Sequence, residues 1–485
     1  MPSDTPTAEP TFTPTPTALP FSRPRSQNHR FVFVYTTDTD QTVHLYDHES
    51  GETIPIYTLP PEISLHKQEE PPVAPSIAKL LEPFEKGLPS RWMKISPSRT
   101  TLLTLQPAVG GLPNYFHQID LVSGQLVSIQ IINDYQWTFP TVNGRTPELG
   151  PPRSGAEFVP ENAAHVVQDI SWAPDGRGFS FVIRTPVLDS FEFDDFQLYF
   201  VARGSQEVVT LASDAPGEVI GNYPKWSPDG RYLSYVGDLL PATFGLWIID
   251  MEQPNTAARL TERYFDPFYS WTTYGRFILI EDTFETSSGE MAVGLLQVDV
   301  TDGMIRELLR VIPADDEEVS LVARRELPHS GGLIVREIHR VADDPTSNDP
   351  EFEYDPSRSK THYIWEGGIV ELGLLAEEAR PLFSISPTDD WIALSLEGTE
   401  ACLILSVPNE EIVFGPDARL CSVATWSTDG HLLLGRNDEL DFIVFDLDTM
   451  ELNVVAPELD GSKVRFLGWV PDPSVYDEIV ESQLP

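Results

Sequence analysis

Three observations in this 485-residue sequence predict an all-β fold: a single β-propeller of four-stranded antiparallel blades, with eight blades favoured and seven as the alternative. A strand-ending Trp or apolar residue is followed repeatedly by a Ser-Pro-Asp-Gly-like turn. A second turn signature, Asp then three residues then Gly, recurs in the same phase. Each chain end carries part of one blade. A period of roughly 40 to 55 residues between such units marks a propeller rather than several separate domains.

The clearest copies of the first turn are Trp172-Ala173-Pro174-Asp175-Gly176, Trp226-Ser227-Pro228-Asp229-Gly230 and Trp426-Ser427-Thr428-Asp429-Gly430. Weaker copies follow Ile95, Trp271, Ile385 and Trp469, and a degenerate one is expected near Leu321. Pro presets the backbone for the second turn position, and Gly takes the left-handed conformation that lets a hairpin close. In the type unit, Trp226 ends the first strand, Tyr232 to Val236 forms the second and Phe244 to Asp250 the third. A short fourth strand ends at Thr261. The second signature, between third and fourth strands, starts at Asp47, Asp120 and Asp299, and Asp446 begins a copy without Gly. Trp172, Asp175, Gly176, Trp226, Asp229, Gly230, Trp271, Trp426, Asp429, Gly430 and Trp469 are therefore read as structural.

Arg30 to Tyr35 reads as a second strand and His44 to Asp47 as a third, with no first strand before them. Val464 to Trp469 reads as an unaccompanied first strand. Pairing the last strand with the first ones completes one blade and removes exposed sheet edges. The expected organisation is a Pro/Thr-rich stalk over 1–28, a propeller over 29–472 and a C-terminal tail over 473–485.

The Trp-Ser-Pro-Asp-Gly repeat resembles that of the TolB-like, WD-like β-propellers. The resemblance covers most of residues 30 to 472 and implies the fold. Its relatives include periplasmic partner-binding proteins and the propellers that gate serine peptidases. The extra N-terminal domain of TolB and a following peptidase domain are both missing from this pattern. Function therefore has to be read from a site, since one fold hosts many functions.

Composition narrows the choice. Lys+Arg total 32 against Asp+Glu 75, a formal net charge of −43. Such a surface repels phosphate backbones and anionic lipid, which argues against nucleic-acid binding. No run of 18 apolar residues occurs, so no membrane insertion is expected. The first 20 residues hold six Pro and six Thr, a stalk composition that cannot bury a core and is expected to be extended and disordered. Such stalks hold exported domains away from an anchor, so a periplasmic, cell-surface or extracellular location is expected, with no signal peptide in the chain as written. Cys402 and Cys421 fit either a disulfide in an exported protein or two separate buried thiols.

Strand order places the tight turns at one end of the blades and the second-to-third connections at the other. The long segments Pro61 to Arg91, Asp134 to Val167, Pro186 to Asp195, Asp282 to Glu290 and Val341 to His362 collect at that second end. Long connections on a rigid scaffold are where binding residues concentrate. Tyr135, Trp137 and Phe139 with Arg145 and Arg153 are the expected contact residues, because aromatics beside Arg make interaction hot spots. A loop folded back to seal the blade is the bland alternative for the same residues. Ser76 to Leu88 has the spacing of a short amphipathic helix.

No nucleophile elbow, His-Glu-x-x-His or phosphate loop occurs, and the 10 His are scattered singly. His329-Ser330-Gly331-Gly332 reads as a turn. The acidic runs Phe191 to Asp195, Asp315 to Glu318 and Asp343 to Asp355 offer oxygen ligands, so calcium is the one cofactor considered, against solvated charge as the simpler account. The expectation is a non-enzymatic, monomeric binder of a protein or cell-surface ligand. A metal-assisted hydrolase or lyase acting on a sugar or lactone at the channel mouth is the alternative.

Overall fold

The computed structural model describes residues 25–26, 28–37, 40–60, 93–106, 114–131, 166–186, 193–213, 224–237, 245–254, 257–261, 269–314, 317–326, 332–342, 352–355, 357–365, 368–371, 382–395, 402–406, 411–414, 425–436, 442–457 and 459–483. They form eight antiparallel sheets, seven of four strands and one of five. In chain order, sheet 1 takes its first three strands from Arg30–Thr36, Gln41–Asp47 and Glu52–Thr58. Sheets 2 to 8 span 93–131, 166–213, 225–261, 270–311, 317–371, 382–414 and 425–454. The C-terminal strand Val464–Trp469 pairs antiparallel with Arg30–Thr36 and completes sheet 1, as the two incomplete chain ends predict.

Seven apolar clusters fill the spaces between sheets. Sheets 1 and 2 share Val32, Leu45, Leu102 and Ile119, and sheets 8 and 1 share Phe31, Phe33, Leu432 and Val444. Sheets 2/3, 7/8, 3/4, 4/5 and 5/6 are joined the same way. In sheets 1 to 5 and 8, alternating strand residues thus face two neighbours, and both faces contribute to buried clusters.

The two turn signatures do meet at one end. In the first, the Ser227 hydroxyl donates to Asp229 and accepts from the Tyr232 amide, so Ser and Asp supply the hydrogen bonds that a four-residue turn lacks. Gly230 has φ 73°, and a Cβ there would stand 2.8 Å from the Asp175 carboxyl carbon of the preceding sheet. Arg99 and Asp389 hold the equivalent position in sheets 2 and 7 at φ 61° and 64°. In the second signature, the Gly51 amide bonds the Asp47 carbonyl, and Met450 takes the Gly position at φ 58°. Arg231 to Asp250 (3.0 Å) and Arg276 to Asp299 (3.0 Å) tie the two turns of one sheet together. Backbone bonds from Met251 to Arg231 and from Val300 to Arg276 repeat the tie.

Two expectations change. Asp282 to Glu290 is a regular hairpin extension closed by the turn Thr286–Gly289, because Thr286 and Glu290 satisfy each other's backbone. Residues 473–483, expected as a tail, form a 3₁₀ turn and the helix Asp477–Gln483. Tyr476 is fully buried there, and its hydroxyl donates to the Arg99 carbonyl. Among the described residues no helix is long and apolar enough to cross a membrane.

Candidate functional site

The end opposite the tight turns is uneven. In sheet 4 the central hairpin runs from Tyr232↔Asp250 to Gly237↔Gly245, whereas in sheet 5 it continues from Phe277↔Asp299 to Glu285↔Met291. Sheet 6 goes furthest. Its second strand, Leu333–Ala342, outruns its third and takes on an extra strand, Phe352–Tyr354. The expected long loop Val341 to His362 therefore contains strand Phe352–Tyr354 and the start of strand Lys360–Trp365, and between them the Ser359 amide bonds the Asp355 carbonyl.

Within sheet 6, pairing puts Glu317, Glu337, His339 and His362 on the face turned toward sheet 5. His339 Nε2 donates to Glu337 Oε1 at 2.6 Å, and His362 Nε2 donates to Glu337 Oε2 at 2.7 Å. His339 Nδ1 lies 3.4 Å from Glu317 Oε1, an ion-pair distance without hydrogen-bond alignment. Glu317 is paired with Arg358, which precedes strand Lys360–Trp365. Burial pushes the Glu337 carboxyl up, but the bonds from His362 and His339 outweigh it and hold it below the usual carboxylate range. Arg358 holds Glu317 low in the same way, helped by the Ala314 amide. Both Glu337 oxygens are committed, so the cluster orients two imidazoles and cross-links three strands. Among the described residues, no three His, Cys, Asp or Glu converge to hold a metal ion.

A second titratable cluster sits at the turn end, where sheets 8 and 1 meet. His29, 5 % exposed, bonds Glu49 through Nδ1 and Asp429 through Nε2, both at 2.8 Å. Desolvation lowers its pKa, but the two carboxylates more than reverse this and raise it to about 9. Arg25 bridges Asp446 and Asp448, and the Ser26 amide bonds Asp429, so the end of the expected stalk is fastened here.

Trp172, Trp226 and Trp426 end first strands against the neighbouring sheet's core, Trp469 ends the strand that completes sheet 1, and Trp271 packs between sheets 4 and 5. Asp175, Gly176, Asp229, Gly230, Asp429 and Gly430 make the turns. Tyr135, Trp137, Phe139, Arg145 and Arg153 lie outside the described residues, as do Cys421, His329, the 76–88 segment and most of the acidic runs. Cys402 begins the third strand of sheet 7. Sequence reasoning missed the Glu337 cluster because it treated histidines as isolated. Glu337 and His339 at i, i+2 on one strand were the available signal.

No family model matches this sequence, and no curated protein sequence does. Among solved structures, a dihydro-heme d1 dehydrogenase is 14% identical, with a TM-score of 0.47, over 93% of this chain and 80% of that one. Pseudomonas aeruginosa periplasmic gluconolactonase is 14% identical, with a TM-score of 0.36, over 80% and 95%. TolB from Acinetobacter baumannii is 12% identical, with a TM-score of 0.31, over 76% and 82%. The architecture rests on the strand pairing described above.

Proposed function

We propose that the eight sheets are blades of one closed, TolB-like propeller, exported and monomeric, that binds a protein or cell-surface ligand through its uneven end. The supporting observation is the contrast between ends. Short turns at one end repeat the same Arg–Asp and Asp–Gly contacts, while the hairpins of sheets 3, 5 and 6 extend unequally at the other. Extended hairpins on a rigid base present side chains with little ordering cost on binding. Tyr135, Trp137, Phe139, Arg145 and Arg153 are the proposed contact residues, in the connection between sheets 2 and 3.

Deletion of residues 134–165 tests the reading. The deletion stops short of Val166 because the strand Val166–Trp172 begins there. The shortened protein should keep its far-ultraviolet dichroism and cooperative melting but lose retention on cell-envelope material that holds the full chain. Equal retention by both would remove this connection from the binding surface. Loss of cooperative melting would show that the connection belongs to the scaffold.

A further inference from the structure

The second strand of sheet 6 has two faces that are provided for very differently. Toward sheet 5, both oxygens of Glu337 are bonded by imidazoles. The opposite face carries Ser320, Arg336, Ile338, Arg340, Tyr354 and Thr361, set side by side by the pairs Ser320↔Ile338, Arg336↔Thr361 and Arg340↔Tyr354. Arg336 is 4 % exposed and Thr361 0 %. Among the described residues no carboxylate pairs with Arg336. Burial lowers its pKa, and its charge and hydrogen-bond interaction with the Tyr354 phenol acts the other way. The Ser320 and Thr361 hydroxyls are buried without a hydrogen-bond partner, and among the described residues the Tyr354 phenol has Arg336 beside it.

A buried guanidinium with no carboxylate beside it is costly, and so is each unbonded buried hydroxyl. Arg336, Ser320, Thr361 and Tyr354, on one face of four strands of this sheet, share a single remedy, an anion with acceptor oxygens lying among them. A guanidinium fork binds a planar carboxylate through two parallel N–H bonds, and hydroxyls can donate to its remaining lone pairs. One formal positive charge balances a monoanion. A phosphate or sulfate dianion would leave net negative charge buried in a chain whose formal charge is already −43. Arg340, on the same face and nearer the uneven end, has its side chain 32 % exposed and Glu318 only at 3.8 Å. That places a second cation on the side from which an anion would enter.

We propose that Arg336, Thr361, Ser320 and Tyr354 form a binding site for a carboxylate, reached from the uneven end of sheet 6. The site lies on sheet 6 alone and stands whether or not the 134–165 connection binds a partner. The carboxylate belongs either to a small organic acid or to a protein ligand.

Melting of the full chain in sodium acetate, against sodium chloride and sodium sulfate at matched ionic strength, tests it. A ligand that binds only the folded state raises the midpoint by mass action. Acetate should give a saturable upward shift that chloride and sulfate do not match. Arg336→Met keeps the side-chain length, removes the unpaired charge and should abolish the shift. Tyr354→Phe, at a partly exposed position that tolerates the change, should weaken acetate binding severalfold and keeps the test open if Arg336→Met fails to fold. A short peptide with a free C-terminal carboxylate, run against its amide, separates the two sources: tighter binding of the free acid than of acetate identifies a protein-borne carboxylate. No acetate-specific shift in the wild-type chain, or an equal shift in Arg336→Met, would overturn the assignment.

Discussion

The turn end and the uneven end treat polar groups in opposite ways. At the turn end, charges come in repeated, mutually satisfied sets. Arg30 pairs with Asp47, Arg231 with Asp250, Arg276 with Asp299, and His29 sits between Glu49 and Asp429. In sheet 6, one face holds a buried guanidinium that no carboxylate among the described residues pairs, next to the unbonded Ser320 and Thr361 hydroxyls. Buried polar groups in a scaffold are normally bonded. The repeated ion pairs therefore mark the turn end as construction, and the unbonded hydroxyls beside Arg336 mark that face of sheet 6 as a place to receive something.

The hardest test of that reading is Trp226→Ala. Trp226 packs among Ala173, Val182, Leu233 and Ile249, and its indole N–H donates to Ser180 at 2.9 Å. Truncating a buried aromatic costs about 3–5 kcal/mol, so chemical denaturation should shift strongly while any uneven-end binding per folded molecule stays unchanged. An unaltered midpoint would remove Trp226 from the scaffold.

A smaller effect is expected from pH at the join of sheets 8 and 1. Asp429, Glu49 and His48 lie against His29, whose pKa is raised to about 9 from an ordinary 6.5. A raised pKa means the charged form is favoured by folding. The stabilisation is therefore complete below pH about 6.5 and fades as pH climbs through about 9. Asp429 is held well below the usual carboxylate range, so its share is present above its ordinary pKa and is lost only in acid. With the 36 % exposed Glu49 screened by water, the loss between pH 6.5 and 9.5 should be about 1–2 kcal/mol. Melting temperatures across that window should fall for the wild-type chain and stay flatter for His29→Gln. Parallel curves would show that the pair contributes nothing measurable.

How far the sequence spoke depended on how local the physics was. The Trp226 to Gly230 turn is visible because every bond it needs, from Ser227, Asp229 and Gly230, lies within six residues. The composite sheet 1 was readable because a first strand was missing at one end of the chain and left over at the other. Sheet 6 was faint. Glu317, Arg336, Glu337 and His339 carry no local turn signature, and only long-range register brings them to Thr361 and His362. The expected contact residues Tyr135, Trp137, Phe139, Arg145 and Arg153 rest on composition alone and lie outside the described residues.

The finest comparison lies within the scaffold itself. Eight residues after the closing Trp or Ile, sheets 3 and 4 carry Ser180 and Ser234, which accept the indole N–H of the next sheet's Trp226 and Trp271 at 2.9 and 2.8 Å. Sheets 2 and 7 carry Leu103 and Ala393 there, and the indole N–H of Trp172 and Trp426 is buried without a partner. Turning Ala393 into Ser adds one oxygen where sheets 3 and 4 already hold one. A neutral hydrogen bond is worth about 1 kcal/mol net, so Ala393→Ser should stabilise by up to that amount. Ser180→Ala should destabilise by about 1–3 kcal/mol, because it strands a donor rather than rescuing one. Both can be read from denaturation midpoints at constant slope. A stabilised Ala393→Ser variant with no change in acetate response would extend turn-end saturation to a sheet that lacks it and keep the two ends separate. If Ala393→Ser destabilises, the Trp–Ser contact is specific to sheets 3 and 4 and is no rule of the repeat.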